Sequence, residues 1–407
     1  MPLKGTLISS SNPPPTMKLT TPLGLLNLAI LLSGFLPGAF AAQSFLYINS
    51  NITATGQNAV IALKNDGAGN MTPVAGSPFA TGGTGVAGMG TLLQDVQWDS
   101  DGEIAINAVG SLLFTINGHS NDFSGFNLNA DGSLTALPGS PFPSGGTQPA
   151  SIAYKDNGAG NGISLMVMAN KDSDPFQSNS APNYTTFRVD AAGVPTPIAG
   201  STLVLPALSS PWQIILPKNS QYFFGIQFTG DTISTYRLSR NGTMKTNNTL
   251  PVSGDNGGGF LNPTAAELYV TMPAARVLNV VSYDSSYALS LVKTLPSSGK
   301  APCWATMNKR GTRLYVAETS SGSVTVYDTS DAANPVELEH LRLAGTRPYT
   351  THVRLDTTEK FLYVLDRQAV LHVLDVEDDG TVAENKTPYN LGLPPGTVPL
   401  GLASLRK

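Results

Sequence analysis

One short pattern recurs seven times along this chain: F-L-Y-I at Phe45, L-L-F-T at Leu112, L-M-V-M at Leu165, Y-F-F-G at Tyr222, L-Y-V-T at Leu268, L-Y-V-A at Leu314 and L-Y-V-L at Leu362. The copies are 46 to 67 residues apart. Self-similarity at such a period marks a repeat architecture, because one small unit cannot bury its apolar face alone. The unit is clearest over Lys300–Asp328. Pro302–Met307 reads as one strand, Asn308–Gly311 as a tight polar turn and Arg313–Ala317 as a second strand. A Ser/Gly loop follows, and Val324–Asp328 then alternates apolar and polar residues, as a half-buried strand does.

Each repeat is laid out as four strands, A to D, with the recurring runs as B. The A strands are expected at Asp95–Trp98, Ala150–Lys155, Trp212–Leu216, Phe260–Thr264, Cys303–Met307 and Tyr349–Leu355. The first B strand, at Phe45, has no A strand before it. The chain ends instead on an orphan apolar run, Val398–Leu405. One missing strand and one surplus strand cancel if the tail completes the first unit. Closure of that kind removes the exposed edges of a long sheet. The expectation is an all-β, seven-bladed propeller spanning 42–407, its first blade completed by the C-terminal strand. No window after residue 45 carries apolar residues at helical spacing for three turns.

The turns agree. Asn65-Asp66-Gly67, Ala130-Asp131-Gly132, Arg240-Asn241-Gly242 and Asp378-Asp379-Gly380 fall between C and D, where hairpins need residues tolerant of positive φ. Val74–Thr84 and Leu137–Thr147 share A/P-G-S-P-F-x-x-G-G-T, with a fainter copy at Pro197–Thr202, and read as the connection from D to the next A. Gly 41 and Pro 30 suit many short strands joined by turns.

Residues 1–41 read as a secretory signal. Lys18 precedes an apolar run from Leu23 to Leu36, and Ala39-Phe40-Ala41 fits a small-x-small cleavage site. The run is short for a membrane span, and translation is open to a start at Met17. Six N-x-[ST] sequons, at Asn51, Asn70, Asn183, Asn241, Asn247 and Asn385, fit a secreted glycoprotein. The lone Cys303 forms no intrachain disulfide, and a net charge of −4 without a basic run argues against nucleic acid as partner.

The run D-G-S-L-T-A-L-P-G-S-P-F, followed by G-G-T-Q-P, resembles the lactonase-type seven-bladed propellers, the group of 6-phosphogluconolactonase and fungal 3-carboxy-cis,cis-muconate cyclase. The resemblance spans Phe45 to Leu405. It implies acid/base and anion-binding residues of the His, Glu and Arg types near one mouth of the central channel. Glu318, in V-A-E-T-S-S-G-S, matches a family position that usually reads Asn-Glu. The family's Pro-Arg-His and Pro-His-x-His marks are replaced by Ala301-Pro302-Cys303-Trp304 and Leu261-Asn262-Pro263-Thr264.

Catalysis on a lactone or an unsaturated carboxylate needs an acid/base and a cation for the substrate's negative charge. The expected catalytic residues are Glu318, His119 and His352. The expected substrate contacts are Arg276, Arg347, Arg367, Trp212, Trp304 and Gln148. Each has a plain alternative: a solvated loop for Glu318 and His119, a core imidazole for His352, blade packing for the tryptophans. Cys303 reads as a buried inert thiol, and Asp99-Ser100-Asp101-Gly102 as an A–B hairpin turn rather than a calcium loop. No H-x-H, H-E-x-x-H or Cys/His cluster suggests a metal, and no cofactor is expected. The alternative function is a non-catalytic secreted binding propeller that meets glycans or cell-wall components. The chain is expected to be monomeric, without a membrane span.

Overall fold

Leu400–Arg406 lies antiparallel along Ser44–Asn49, with Tyr47 opposite Ala403, so the tail does complete the first unit. The structure, a computed structural model, describes residues 43–88, 100–171, 181–252, 254–345 and 349–407, all within the unit Ala42–Lys407. Their strands form seven antiparallel sheets, and the described residues contain no helix. The fold is a seven-bladed all-β propeller.

The B strands are Ser44–Asn49, Leu112–Asn117, Ile163–Asn170, Tyr222–Gln227, Glu267–Met272, Arg313–Glu318 and Phe361–Asp366, one for each of blades 1 to 7. They are almost wholly buried, because both faces of a blade's second strand pack against neighbouring blades. The L-Y-V tyrosine has a specific task there. Tyr47 and Tyr315 donate their hydroxyls to the carbonyls of Gly132 and Gly380, at the C–D turns of the next blades (3.0 Å each). Tyr363 accepts from Asn65 Nδ2 (2.7 Å), so blade 7 is tied to blade 1 in the same way. Gly132 has φ 84°, and a Cβ there would stand 2.3 Å from the Phe45 ring. Both facts select glycine.

The repeated G-S-P-F motif lies elsewhere than expected. It is not the link from D to A but a break inside the outer strand. Met71–Pro73 and Phe79–Ala80 both pair with Ala59–Asn65, and Leu134–Ala136 and Phe142–Pro143 both pair with Asp122–Leu128. At the break the motif's serine hydroxyl takes the ladder N–H of the C strand: Ala62 N–H to Ser77 (2.9 Å), Gly125 N–H to Ser140 (3.1 Å) and Thr186 N–H to Ser201 (3.2 Å). A backbone donor that the interrupted strand cannot satisfy is thereby kept paired.

The A strands are Leu400–Arg406 in blade 1 and, in blades 2 to 7, Ile104–Ile106, Pro149–Gly160, Pro211–Ile215, Gly259–Leu261, Pro302–Met307 and Thr350–Leu355. The expected A strand Asp95–Trp98 lies outside the described residues. The strand that pairs with Leu112–Asn117 on its inner side is Ile104–Ile106. The A–B turn of blade 2 is therefore Asn107–Ser111, closed by Gly110 N–H to Asn107 O (2.9 Å). Ser100-Asp101-Gly102 leads into the innermost strand instead of turning out of it, and this correction moves two carboxylates into the channel.

Candidate active site in the central channel

Strand pairing puts one residue of each blade in the same layer around the axis. In blades 2 to 7 this residue lies opposite the penultimate residue of the B strand: Glu103, Ser151, Gln213, Gly258, Trp304 and His352. Leu402, opposite Ile48, fills the place in blade 1. In blades 3, 4, 6 and 7 a β-bulge after the first pair of the A strand sets this register. Bulges re-aim side chains in this way at sheet ends and beside functional sites.

The polar members of the layer meet. His352 Nε2 lies 3.0 and 3.1 Å from the two oxygens of Glu103, and Ser100 Oγ donates to Glu103 Oε1 at 2.7 Å. One step up the channel, Gln213 Nε2 donates to Asp101 Oδ2 (2.8 Å) while Gly259 N–H holds Gln213 Oε1 (2.8 Å). Trp304 donates its indole N–H to Ser100 O (2.6 Å), and its ring lies 5.0 Å from that of His352. Asp101, Glu103 and His352 are 7%, 0% and 2% exposed. Burial raises the Asp101 carboxyl above the usual carboxylate range; Glu103 adds to the rise, and Arg354 and His352 oppose it. His352 Nδ1 has no hydrogen-bond partner.

Asp101, Gln213 and Arg354 also form part of the wall of a cavity of about 930 Å³ that runs along the A strands of blades 2 to 5. Its mouth is framed by A–B turns at Pro217-Lys218 and Asn262–Ala266, with Phe260, Tyr283 and Tyr287 as its aromatic side. The face built from D–A and B–C loops, which carries the expected His119, Arg276 and Arg367, is the opposite one. The loops of that face contribute no lining to this cavity apart from Asp101 and Gly102.

Of the residues expected from sequence, the structure brings His352 and Trp304 together. Trp212 is the bulged residue beside Gln213, stacked on Phe228 (4.9 Å between ring centres) and 5.5 Å from Trp304. Lys171 Nζ lies 5.8 Å from its ring centre, a cation–π contact in a buried place. Gln148 is buried just before the blade 3 A strand, its N–H bonded to Asn121 Oδ1 (2.7 Å). His119 is half-buried in the blade 2 B–C turn, and Arg276 is exposed in that of blade 5. Arg367 is buried, its N–H bonded to Tyr349 O (2.8 Å). Arg347 lies outside the described residues, as do the signal segment and most of the loop after Lys171.

Glu318 is in a different environment from His352. It ends the blade 6 B strand, fully buried, and takes hydrogen bonds from Ser297 Oγ and Thr325 Oγ1 (3.0 Å for the latter), while Oε2 has no partner. Desolvation pushes its carboxyl up to about 7, against those two hydrogen bonds. Register shows what the position is. Asn117, Asn170 and Gln227 also end their B strands, each opposite the first residue of the C strand. Asn117 Nδ2 donates to Ser124 Oγ (3.0 Å), the equivalent of the Glu318–Thr325 bond.

Sequence reasoning missed Asp101 and Glu103. Spacing held the signal: Pro211 to Tyr222, Pro302 to Arg313 and Thr350 to Phe361 are each eleven residues, A start to B start. Eleven residues before Leu112 stands Asp101.

Residues 264–396 match the family model described as lactonase, 7-bladed beta-propeller. No curated protein matches the sequence. Among solved structures, the periplasmic gluconolactonase PpgL of Pseudomonas aeruginosa is similar at TM-score 0.69 and 12% identity, over 90% of this chain and 99% of that one. A candidate 6-phosphogluconolactonase from Bacteroides fragilis gives 0.67 and 14%, over 90% and 99%. A Lactobacillus plantarum protein gives 0.67 and 14%, over 90% and 100%. At these identities the likeness shows the fold. The chain is thus a seven-bladed β-propeller whose residues 264–396 are similar to the lactonase-type propellers.

Proposed function

We propose that the protein is a secreted hydrolase that opens a small sugar-acid lactone in its central channel. The observation that carries this reading is the cavity whose wall holds Asp101, Gln213 and Arg354 together, with the Glu103–His352 pair directly behind. Ester hydrolysis requires a base for the attacking water and positive charge for the oxyanion that forms. A carboxylate of the channel serves as the base, Arg354 receives the developing charge, and Glu103 with Ser100 fixes the His352 ring. The apolar wall at Phe260, Tyr283 and Tyr287 limits water and packs the ring of the substrate. Gluconolactone chemistry is what the similar Pseudomonas protein is named for.

Secretion is supported by the apolar run after Lys18 and by four exposed sequon asparagines, Asn70, Asn241, Asn247 and Asn385. Asn51 and Asn183 are buried, and their amides already donate to Val86 O and Val398 O, and to Ala181 O. We therefore place glycans on the first four. The described residues hold no helix long and apolar enough to cross a membrane.

The test is hydrolysis of gluconolactone, a phosphorylated aldonolactone and a muconolactone by the purified protein, compared with Asp101→Asn and Arg354→Met. Wild type should turn over at least one of them, and each variant should lose about 100-fold in kcat/KM. Wild-type rates no better than buffer for every lactone would refute the proposal.

A further inference from the structure

We propose that Asp101, Glu103 and His352 bind one divalent transition-metal ion at the inner end of the channel cavity. The proposal stands on the geometry of these three side chains and does not depend on the lactone reading.

Asp101 and Glu103, two positions apart, and the distant His352 each present a ligand atom, and these atoms all lie within 4.8 Å of one another. Two ligands at right angles on an ion with bonds of ~2.1 Å stand about 3 Å apart. His352 Nε2 and the Glu103 oxygens are at 3.0 and 3.1 Å, so they fit adjacent positions on one ion without rearrangement. An imidazole with two carboxylates is a donor set for zinc, manganese, cobalt or ferrous iron; calcium and magnesium favour all-oxygen sites.

Supporting contacts are present. Ser100 Oγ orients Glu103, and Gln213, itself held by Gly259 N–H, orients Asp101. Metal ligands are commonly fixed by such outer partners. Asp101 faces the cavity, which gives an ion a route in from solvent.

The group is shut off from water: Asp101, Glu103 and His352 are 7%, 0% and 2% exposed. Two buried carboxylates are costly to desolvate unless they are neutralised. An ion in the triangle would neutralise them and leave Asp101 between metal and cavity. There, a coordinated water would be aimed at whatever fills the channel.

The experiment is a titration of the chelator-treated protein with cobalt(II) at neutral pH. It is read by visible absorption, by calorimetry and by tryptophan fluorescence, since Trp304 lies 5.0 Å from the His352 ring. One saturable equivalent is expected, with fluorescence quenching and a raised melting temperature. Glu103→Gln and His352→Gln, checked for folding by circular dichroism, should each weaken it by about 100-fold or more. If either variant fails to fold, copper(II) bound to wild type should show hyperfine splitting from a single nitrogen. Absence of saturable binding to wild type up to about 1 mM, equal binding by a folded variant, or a copper spectrum without one nitrogen ligand overturns the site. Loss of hydrolysis with intact cobalt binding would count against the lactone reading alone.

Discussion

Two of the buried carboxylate sites among the described residues differ in where their partners come from. Glu318 ends a B strand, at a position that the repeat fills with Asn117, Asn170 and Gln227 in other blades. Its partners are Thr325 on the adjacent strand and Ser297 on the incoming connection. Burial, with a smaller push from the Glu337 charge, keeps the carboxyl as an acid rather than paired. Asp101 and Glu103 lead directly into the innermost strand of blade 2, and their partners Gln213 and His352 come from blades 4 and 7. The residues equivalent to Glu103 in other blades differ in type: Ser151, Gln213, Gly258, Trp304 and His352. Where blades agree, a polar residue serves the repeat; where they diverge and converge on the axis, they can build a site.

The largest expected effect separates the two sites by activity. Asp101→Asn should cut lactone hydrolysis by about 100-fold, while Glu318→Gln should stay within about threefold of wild type. The reverse pattern, measured as kcat/KM, would move the active site to the B-strand ends and break the comparison.

The next effect is on stability, and it belongs to Glu318. Its folded-state pKa is raised from 4.5 to about 7, so the fold favours the protonated form. The stability that this gives is fully present below about pH 4.5 and is lost as pH rises through 7. The loss is on the order of 3 kcal/mol. Glu318→Gln, which places here the residue type of Gln227, should flatten that slope in urea melts and equal or exceed wild type at pH 8. A slope unchanged by the substitution would mean that another group titrates.

His372 gives a second, separable window. Burial alone would lower its pKa, but the Asp366 carboxylate 3.6 Å from Nε2 and the hydrogen-bonded Glu384 hold it up at about 9. Glu384 Oε1 is 2.6 Å from Nδ1, and Glu384 Oε2 also accepts Ala344 N–H (2.6 Å). The protonated ring thus helps fasten blade 7 to the connection from blade 6. This contribution is fully present below pH 6.5 and is lost as pH rises through 9. His372→Gln should remove the alkaline part of the stability loss and leave the part between pH 4.5 and 7 intact. The smallest effect is expected at Arg276, exposed on its turn: Arg276→Ala should shift stability by no more than about 0.5 kcal/mol and leave hydrolysis unchanged.

How far the sequence could be read follows from the range of each interaction. The L-Y-V strands, the Asp-Gly turns and ring closure were legible because hydrophobic alternation and positive-φ turns are local signals. The G-S-P-F motif was visible but misplaced: a serine that replaces one ladder bond looks, in sequence, like the end of a strand. The Ile104–Ile106 strand was missed because it is only three residues long, and an A strand expected at Asp95–Trp98 made Asp99–Gly102 read as the hairpin turn. His352 and Trp304 were found as A-strand residues without their partners, because nothing in the primary order links position 352 to position 103.

The order of residues by itself determined that seven like units would form and that the tail must come back to the first, because each unit has an apolar face it cannot bury alone. In three blades it also fixed which side chains lie on innermost strands, through a common eleven-residue offset between A and B. Only the closed ring decided that His352 shares one pocket of space with Asp101 and Glu103, since blades 7 and 2 meet where the blades converge on the axis. Contacts of that kind depend on the circumference and tilt of the whole assembly, which no segment carries alone.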